Sequence, residues 1–416
     1  MPLEWKTKKG VNCDYEVILS RMEPTRKITP EGLGVFENRH VNFDILALTS
    51  AIKFPRGISS HQQQLLTSSG VFEAASHGLL DSDSVIMAIQ KATLKFLKQR
   101  PKNFVIASSI SLKHFDLIRA RTFENTQLRF YKDFPREIRF DDNVNLAADH
   151  GIQLIPNDYC RVVVSVFARE IHEAMESAIR SIDYFRGLWN FALNWNSGIK
   201  YSSGRTKPIN PIVIGPMHTV HQPSGKPAES SYWYEQGFPH VVPPPVDLSK
   251  DWKRVKDRET YARVRIENKS NRRYVSDFLI EYARAMDSSD LNSAYVSLWR
   301  LLERLTATGE NANYDVTVRR ASFLWKDRPY QKQFLNYLRQ FRNRVIHAGE
   351  QDQAVQDAIQ PLRFYVETML RFYVVNPFRL RNLDEFSHFF DQSNSIQDLS
   401  RDIRIRKYAL RFHRST

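Results

Sequence analysis

The chain has 416 residues, 42% hydrophobic and 25% charged, which is enough for two or three ordinary globular domains. It carries 60 Lys+Arg against 46 Asp+Glu, a net charge of +14, and a basic balance favours polyanions, nucleic acid first among them. Two distant cysteines, Cys13 and Cys160, exclude a disulfide framework and a cysteine zinc site. The opening MPLEWKTKKG lacks the apolar region of a leader, and no apolar run reaches the ~18 residues of a membrane span, so a cytoplasmic protein with no membrane partner is expected.

Residues 1–246 read as mixed α/β. Asp81 or Asp83 can cap a helix that runs to about Arg100, with Val85, Ile86, Ile89 and Phe96 inward. Residues 103–112 and 128–140 read as strands, and so does 160–168, where Val162, Val164 and Val166 share one side. A long helix follows to Asn194, with Ala174, Ala178, Ile182 and Phe185 inward, and 208–220 reads as a Pro-punctuated strand. His218, His221 and His240 have no cysteine or acidic cluster beside them, so surface or structural histidines are expected, with no metal and no cofactor. PHVVPPPVD (239–247) marks a domain boundary, because proline cannot continue a helix or a central strand.

Residues 247–270 form a basic linker or helix. The stretch 250–274 has ten basic and four acidic residues around Trp252 and Tyr261. Such interleaving can track a phosphate backbone and stack on bases, or it can be a solvated charged helix. An all-α region spans 271–376. Its helices are 274–286, one from Asp290 that ends at Gly309 and Asn311, a short ambiguous piece at 318–325, one over 331–349, and one over 351–375 bent at Pro361. The whole is α+β: an N-terminal α/β region that senses or recruits, then a helical bundle. The tail, 377–416, is basic. In 400–416 six Lys/Arg meet one acid, and Ile403/Ile405 alternate with arginine more as a strand than as a helix. It either binds RNA through Arg404, Arg406 and Lys407 or packs back on the body.

The most informative stretch is QKQFLNYLRQFRNRVIHAG (331–349). Phe334, Leu338, Phe341 and Val345 form its core stripe. With Phe334 at zero, Arg342 falls at about 80°, Asn343 at about 180° and His347 at about 220°, so Asn343 and His347 share the face away from the core. Gly349 is a stop. Arg followed by His at this range also occurs at Arg56/His61, Arg381/His388 and Arg406/His413. Only Arg342/His347 adds the Asn, the Ala-Gly stop and a preceding SLWRLLERL helix. No phosphate-cradling glycine loop, zinc-protease helix or nucleophile elbow occurs.

SLWRLLERL, a spacer and FLNYLRQFRNRVIHAG together resemble the HEPN superfamily, in particular its Apea-like group, over about residues 271–376. The resemblance implies a helical domain whose R-x(4–6)-H motif forms a metal-independent endoribonuclease site shared across a homodimer. It assigns Arg342 and His347 to that site, with Asn343 as the polar residue after the Arg. Glu303 matches an acidic residue that some families place on an earlier helix. It also implies RNA as substrate, a setting in anti-phage defence or a toxin system, and a phage-derived trigger or a neutralising partner. The chemistry is consistent with these residue types. RNA is cut without metal when its 2′-OH attacks the adjacent phosphate. Histidine can move the proton, and arginine holds the phosphate with a fork of donors. Arg339 and Arg344 are expected to bind RNA, although cations near a helix C-terminus also favour its dipole. The alternative is a HEPN-like domain that binds RNA, senses or dimerises without catalysis.

Overall fold

The computed structural model describes residues 3–6, 14–37, 39–55, 57–78, 80–114, 117–194, 208–229, 232–267, 272–306, 314–348 and 352–415. The fold is α+β: an antiparallel sheet lies in the N-terminal half and helices fill the C-terminal half. Strands β1 (Glu4–Trp5) and β4 (Ile52–Lys53) pair with each other, as do β2 (Arg26–Ile28) and β3 (Gly34–Phe36). Around them α1 (Tyr15–Met22), α2 (Val41–Ala51), α3 (Ser60–Ser76) and α4 (Ser82–Leu97) enclose a core of their own, with Met22, Leu48, Val71 and Ile89 fully buried. Helix α4 starts where its acid predicts: the Asp81 carboxylate accepts from the Asp83 and Ser84 amides.

The main sheet has six strands in the order β10-β9-β5-β8-β7-β6. These are β5 (Lys102–Ile110), β6 (Arg121–Phe123), β7 (Thr126–Tyr131), β8 (Cys160–Ala168), β9 (Met217–His221) and β10 (Trp233–Tyr234). The register pairs Ile106 with Val164 and Ser108 with Val162, so the predicted valine face of β8 points at the helices. The strand expected over 128–140 stops at Tyr131, which pairs with Arg161 at the start of its partner β8, and α5 (Asp141–Asp149) follows. Gly225 turns the chain after β9 at φ +82°, where a Cβ would meet the Glu137 carbonyl at 2.0 Å.

Helix α6 (Ile171–Asn194) lies on this face and carries Tyr184 stacked on Phe123 and Trp189 against Phe130. Behind it come α7 (Trp252–Glu267), α8 (Arg272–Ala285), α9 (Leu291–Leu305), α10 (Tyr314–Ala321), α11 (Arg328–Ala348), α12 (Asp352–Val375) and α13 (Leu383–Phe390). One apolar core runs from the sheet through α6 into this bundle, with members on both sides of the proline-rich segment 239–247. The helices approach closely where α6 meets α8. A Cβ on Gly187 would lie 2.3 Å from the Leu279 carbonyl oxygen. Gly187→Ala is therefore expected to cost about 1–3 kcal/mol in a urea melt, as overpacking does. An unchanged midpoint would show that this contact is loose.

Several expectations are corrected. Trp252 is not available to stack on bases. It is buried, edge-on to Trp189, because α7 turns Trp252, Val255, Glu259, Ala262 and Ile266 inward. Tyr261 does remain exposed. The ambiguous piece at 318–325 is the end of α10 and a 3-10 turn, Ser322–Leu324. The C-terminal stretch is a helix, α14 (Ile396–Ser415), not a strand. Nor is it packed back on the body: residues 403–414 are all exposed, Ile403, Ile405 and Leu410 among them. Gly309, Asn311 and Gly349, expected to end helices, lie outside the described residues, as does Cys13. Cys160 is buried, and burial pushes its thiol up to about 12, so it is an inert core residue. Among the described residues no helix is long and apolar enough to cross a membrane.

Candidate functional site

Helix α11 takes its orientation from its apolar stripe. Leu335, Leu338, Phe341 and Val345 are buried, and Phe334 is half-buried. Tyr295 of α9 fixes the helix further: its hydroxyl donates to the Leu338 carbonyl at 2.8 Å, and its ring meets Phe341 edge-on. Tyr365 of α12 holds the other end through the Gln331 side chain. With the core face committed to packing, the opposite face is free for other work. Arg342 is half-buried at the rim of the stripe and Asn343 is exposed. The Arg342 Nη1 donates to the Asn343 Oδ1 at 3.2 Å. The structure thus brings Arg342 and Asn343 together. His347 lies in the last turn of α11, one turn beyond Asn343 along the same helix, and its side chain is outside the described residues.

The other sequence candidates are placed as follows. Glu303 sits on α9 and accepts from its own helix, from the Trp299 indole at 2.7 Å. Arg339 donates to Asp315 of α10 at 2.6 Å, an ion pair that ties α11 to α10. Arg344 is exposed with its guanidinium 5.1 Å from the Phe341 ring centre. Arg404, Arg406 and Lys407 are exposed on α14. An arginine at the rim of a helix, with an amide and a histidine on the same helix, can hold a phosphate and move a proton; a single copy offers one such proton-transfer group from this motif.

Near the sheet lies a cluster that sequence reading missed. Ser108 of β5 bonds the His218 Nδ1 at 2.8 Å, and the His218 Nε2 faces Glu235 at 3.2 Å. The carboxylate can only accept, so Nε2 carries a proton. Arg284 of α8 donates to Glu235 at 2.6 Å and also to Asp183 of α6. Arg186 completes the chain by bonding Asp183 and, at 2.8 and 3.0 Å, Asp287. Burial alone would raise Glu235, but the His218 hydrogen bond and the Arg284 charge outweigh it and hold the carboxyl down to about 2. The serine–histidine–glutamate order suggests a hydrolase triad, and burial argues against it. Ser108 and His218 are covered by α6 and α8 and are at most 2% exposed, so no substrate reaches the hydroxyl. The cluster is an ionic tie between the sheet and the bundle. Glu259 of α7 makes a second tie, accepting from Arg121 of β6 at 2.7 and 3.0 Å and from the Trp189 indole at 2.9 Å.

The histidines considered as metal ligands have other employment. His221 is held down to about 4, chiefly by burial. It donates from Nδ1 to the Gly225 carbonyl and accepts at Nε2 from Thr219. His240 is exposed. Among the described residues no group of three His, Cys, Asp or Glu is arranged to hold a metal.

One buried acid lies inside the bundle. Glu367 of α12 accepts from the Tyr282 hydroxyl at 2.6 Å and sits beside Arg363. Burial pushes its carboxyl up to about 7, with Arg363 and the tyrosine bond opposing part of that rise. The folded state therefore binds a proton that the unfolded chain releases at a lower pH. Stability is expected to fall as pH rises from about 4.5 to about 7 on account of this group. Glu367→Gln should flatten that segment of the stability curve, and parallel curves for both proteins would contradict the assignment.

No family model matches the chain, and neither a curated protein nor a solved structure matches it.

Proposed function

We propose that the protein is a metal-independent endoribonuclease of the HEPN type, acting at Arg342 on the rim of α11 together with Asn343 and His347 of the same helix. The observation that carries this reading is the Arg342–Asn343 pair, hydrogen-bonded to each other on a helix whose opposite face is locked in the core. In the reaction His347 takes the proton of a ribose 2′-OH as its oxygen bonds to phosphorus. The bond to the 5′-oxygen breaks, and that oxygen receives a proton. Arg342 stays charged and donates to the phosphate oxygens as charge builds there. Asn343 orients the imidazole or bonds the ribose. Two proton transfers need two groups, so a second copy across a two-fold axis supplies the partner histidine. The basic exposed face of α14, with Arg404, Arg406 and Lys407, would guide the RNA strand. The N-terminal region restrains or triggers the bundle in defence against phage.

The test is incubation of the full chain with single-stranded RNA in EDTA, beside Arg342→Ala and His347→Ala. Cleavage by the wild type alone supports the reading. Binding without cleavage by all three would leave the same face as an RNA-docking surface and remove the catalytic assignment.

A further inference from the structure

The N-terminal unit is joined to the rest of the molecule differently from the way the sheet is joined to the bundle. Its apolar clusters hold residues between Leu3 and Leu97, and the main cluster starts at Phe104. Among the described residues no cluster has members on both sides. Along the chain the connection is short, from Lys98 after α4 to Pro101 before β5. Such a junction is like the interface between two domains, and it can open without breaking a core.

The contacts that bridge it involve rings. His61, the second residue of α3, stacks on His172, the second residue of α6, with ring centres 3.8 Å apart and planes 22° apart. The Arg169 guanidinium lies 5.8 Å from the ring centre of Phe96 on α4. Two helix N-termini therefore meet through two imidazoles. Each such end carries partial positive charge, so it is a poor place for a further proton.

The charged groups around the pair are unevenly shared. Glu170 sits 3.4 Å from the His172 Nδ1 and can balance a charge on that ring. Glu170 and Glu173 also accept from backbone amides at the start of α6, and Glu176 lies one turn beyond His172. Arg169, Lys102 and Glu229 line the adjoining cavity with His172. His61 receives less help. Burial and the neighbouring His172 hold its imidazole below the ordinary value, and Glu170 opposes them with a smaller pull.

We propose that the His61–His172 stack is a pH-sensitive latch, which holds the N-terminal unit on α6 near neutral pH and releases it on mild acidification. Linkage sets the sign. A released His61 regains the ordinary histidine value of about 6.5 and takes up a proton that the docked ring resists. Docking is therefore strongest above that value and weakens as the pH falls below it. Glu367 acts in the opposite sense, stabilising the bundle as the pH falls, so release is distinct from acid unfolding of the bundle. The inference does not rest on the ribonuclease reading, and either can fail alone.

Small-angle X-ray scattering of the full chain at pH 7.5 and pH 5.5 tests it, with forward scattering fixing the mass and far-UV circular dichroism the helix content. The wild type should show a larger radius of gyration at pH 5.5, at unchanged mass and helix content, and should recover the smaller value on return to pH 7.5. His61→Phe keeps a ring against His172 and carries no proton, so its radius should be the same at both pH values. His61→Gln also removes the titrating group, and its radius should be equally insensitive to pH, which preserves the comparison if the phenylalanine variant does not fold. A wild type with one radius at both pH values would overturn the proposal. So would an expansion accompanied by loss of helix content, or folded His61 variants that expand as the wild type does.

Discussion

Arg186→Ala is expected to lower the free energy of unfolding by about 3–5 kcal/mol, the cost of removing one partner from a buried ion pair. Arg186 is fully buried and bonds two carboxylates, Asp183 on its own helix and Asp287 just beyond α8. Its Nη1 also satisfies the Ile212 carbonyl at 3.1 Å. The alanine variant leaves Asp183 buried with Arg284 as its remaining described cation, and leaves Asp287 with the Asn210 amide at 2.7 Å. Arg186→Lys should cost less, because charge is kept, but more than a surface change, because the fork that spans two acids is lost. Urea denaturation read by tryptophan fluorescence measures both. A loss under about 1 kcal/mol for Arg186→Ala would show that the carboxylates find solvent, and the tie between sheet and bundle would then not be ionic.

His347→Ala is expected to reduce RNA cleavage by about 10²–10⁴-fold, the usual contribution of a positioned acid or base. Arg342→Lys should also fall steeply although its charge survives, since an ammonium cannot present two parallel donors to a phosphate. Arg342→Lys should leave the bundle folded, because Arg342 lies at the rim of the core stripe, and a melting curve of each variant checks this. Phe341→Ala is the contrasting control. Phe341 is buried against Tyr295, so its loss should cost about 3–5 kcal/mol of stability. Melting curves and single-turnover cleavage separate the two effects. Equal loss of activity and melting point in all three variants would mean that α11 is structural only.

Much of the fold was legible where one local signal sufficed. Asp81 announced the start of α4, and the alternation of Val162, Val164 and Val166 announced a strand with one buried face. The inward stripe of α11 placed Leu338, Phe341 and Val345 in the core and left Asn343 outside it. Other regions misled for identifiable reasons. Helix α3 buries Gln62 and Thr67 along with Leu66 and Val71, so no apolar period marked it. In α14, Ile403 and Ile405 alternate with arginine over too few residues to define a sheet face. Among the described residues no strand lies beside them to complete the ladder, and the backbone satisfies itself as a helix instead. Trp252 read as an aromatic among cations, yet it is one of the inward positions of α7 that also hold Val255 and Glu259.

The candidate site divides in the same way. Arg342 and Asn343 were legible because they are adjacent on one helix. The ionic tie was not, since Ser108, Asp183, His218, Glu235 and Arg284 come from five separate stretches and meet only when α6 and α8 cover the sheet. Spacing along a chain reports neighbours on one element, and it says little about which elements meet.

The most direct measurement of the proposed function is the chemistry of the cut ends. RNA cleaved by the protein in EDTA should carry a 2′,3′-cyclic phosphate on one fragment and a 5′-hydroxyl on the other, as attack by the 2′-OH requires. Fragments with a 3′-hydroxyl and a 5′-phosphate, or cleavage that vanishes with EDTA, would contradict a metal-independent site at Arg342 and His347.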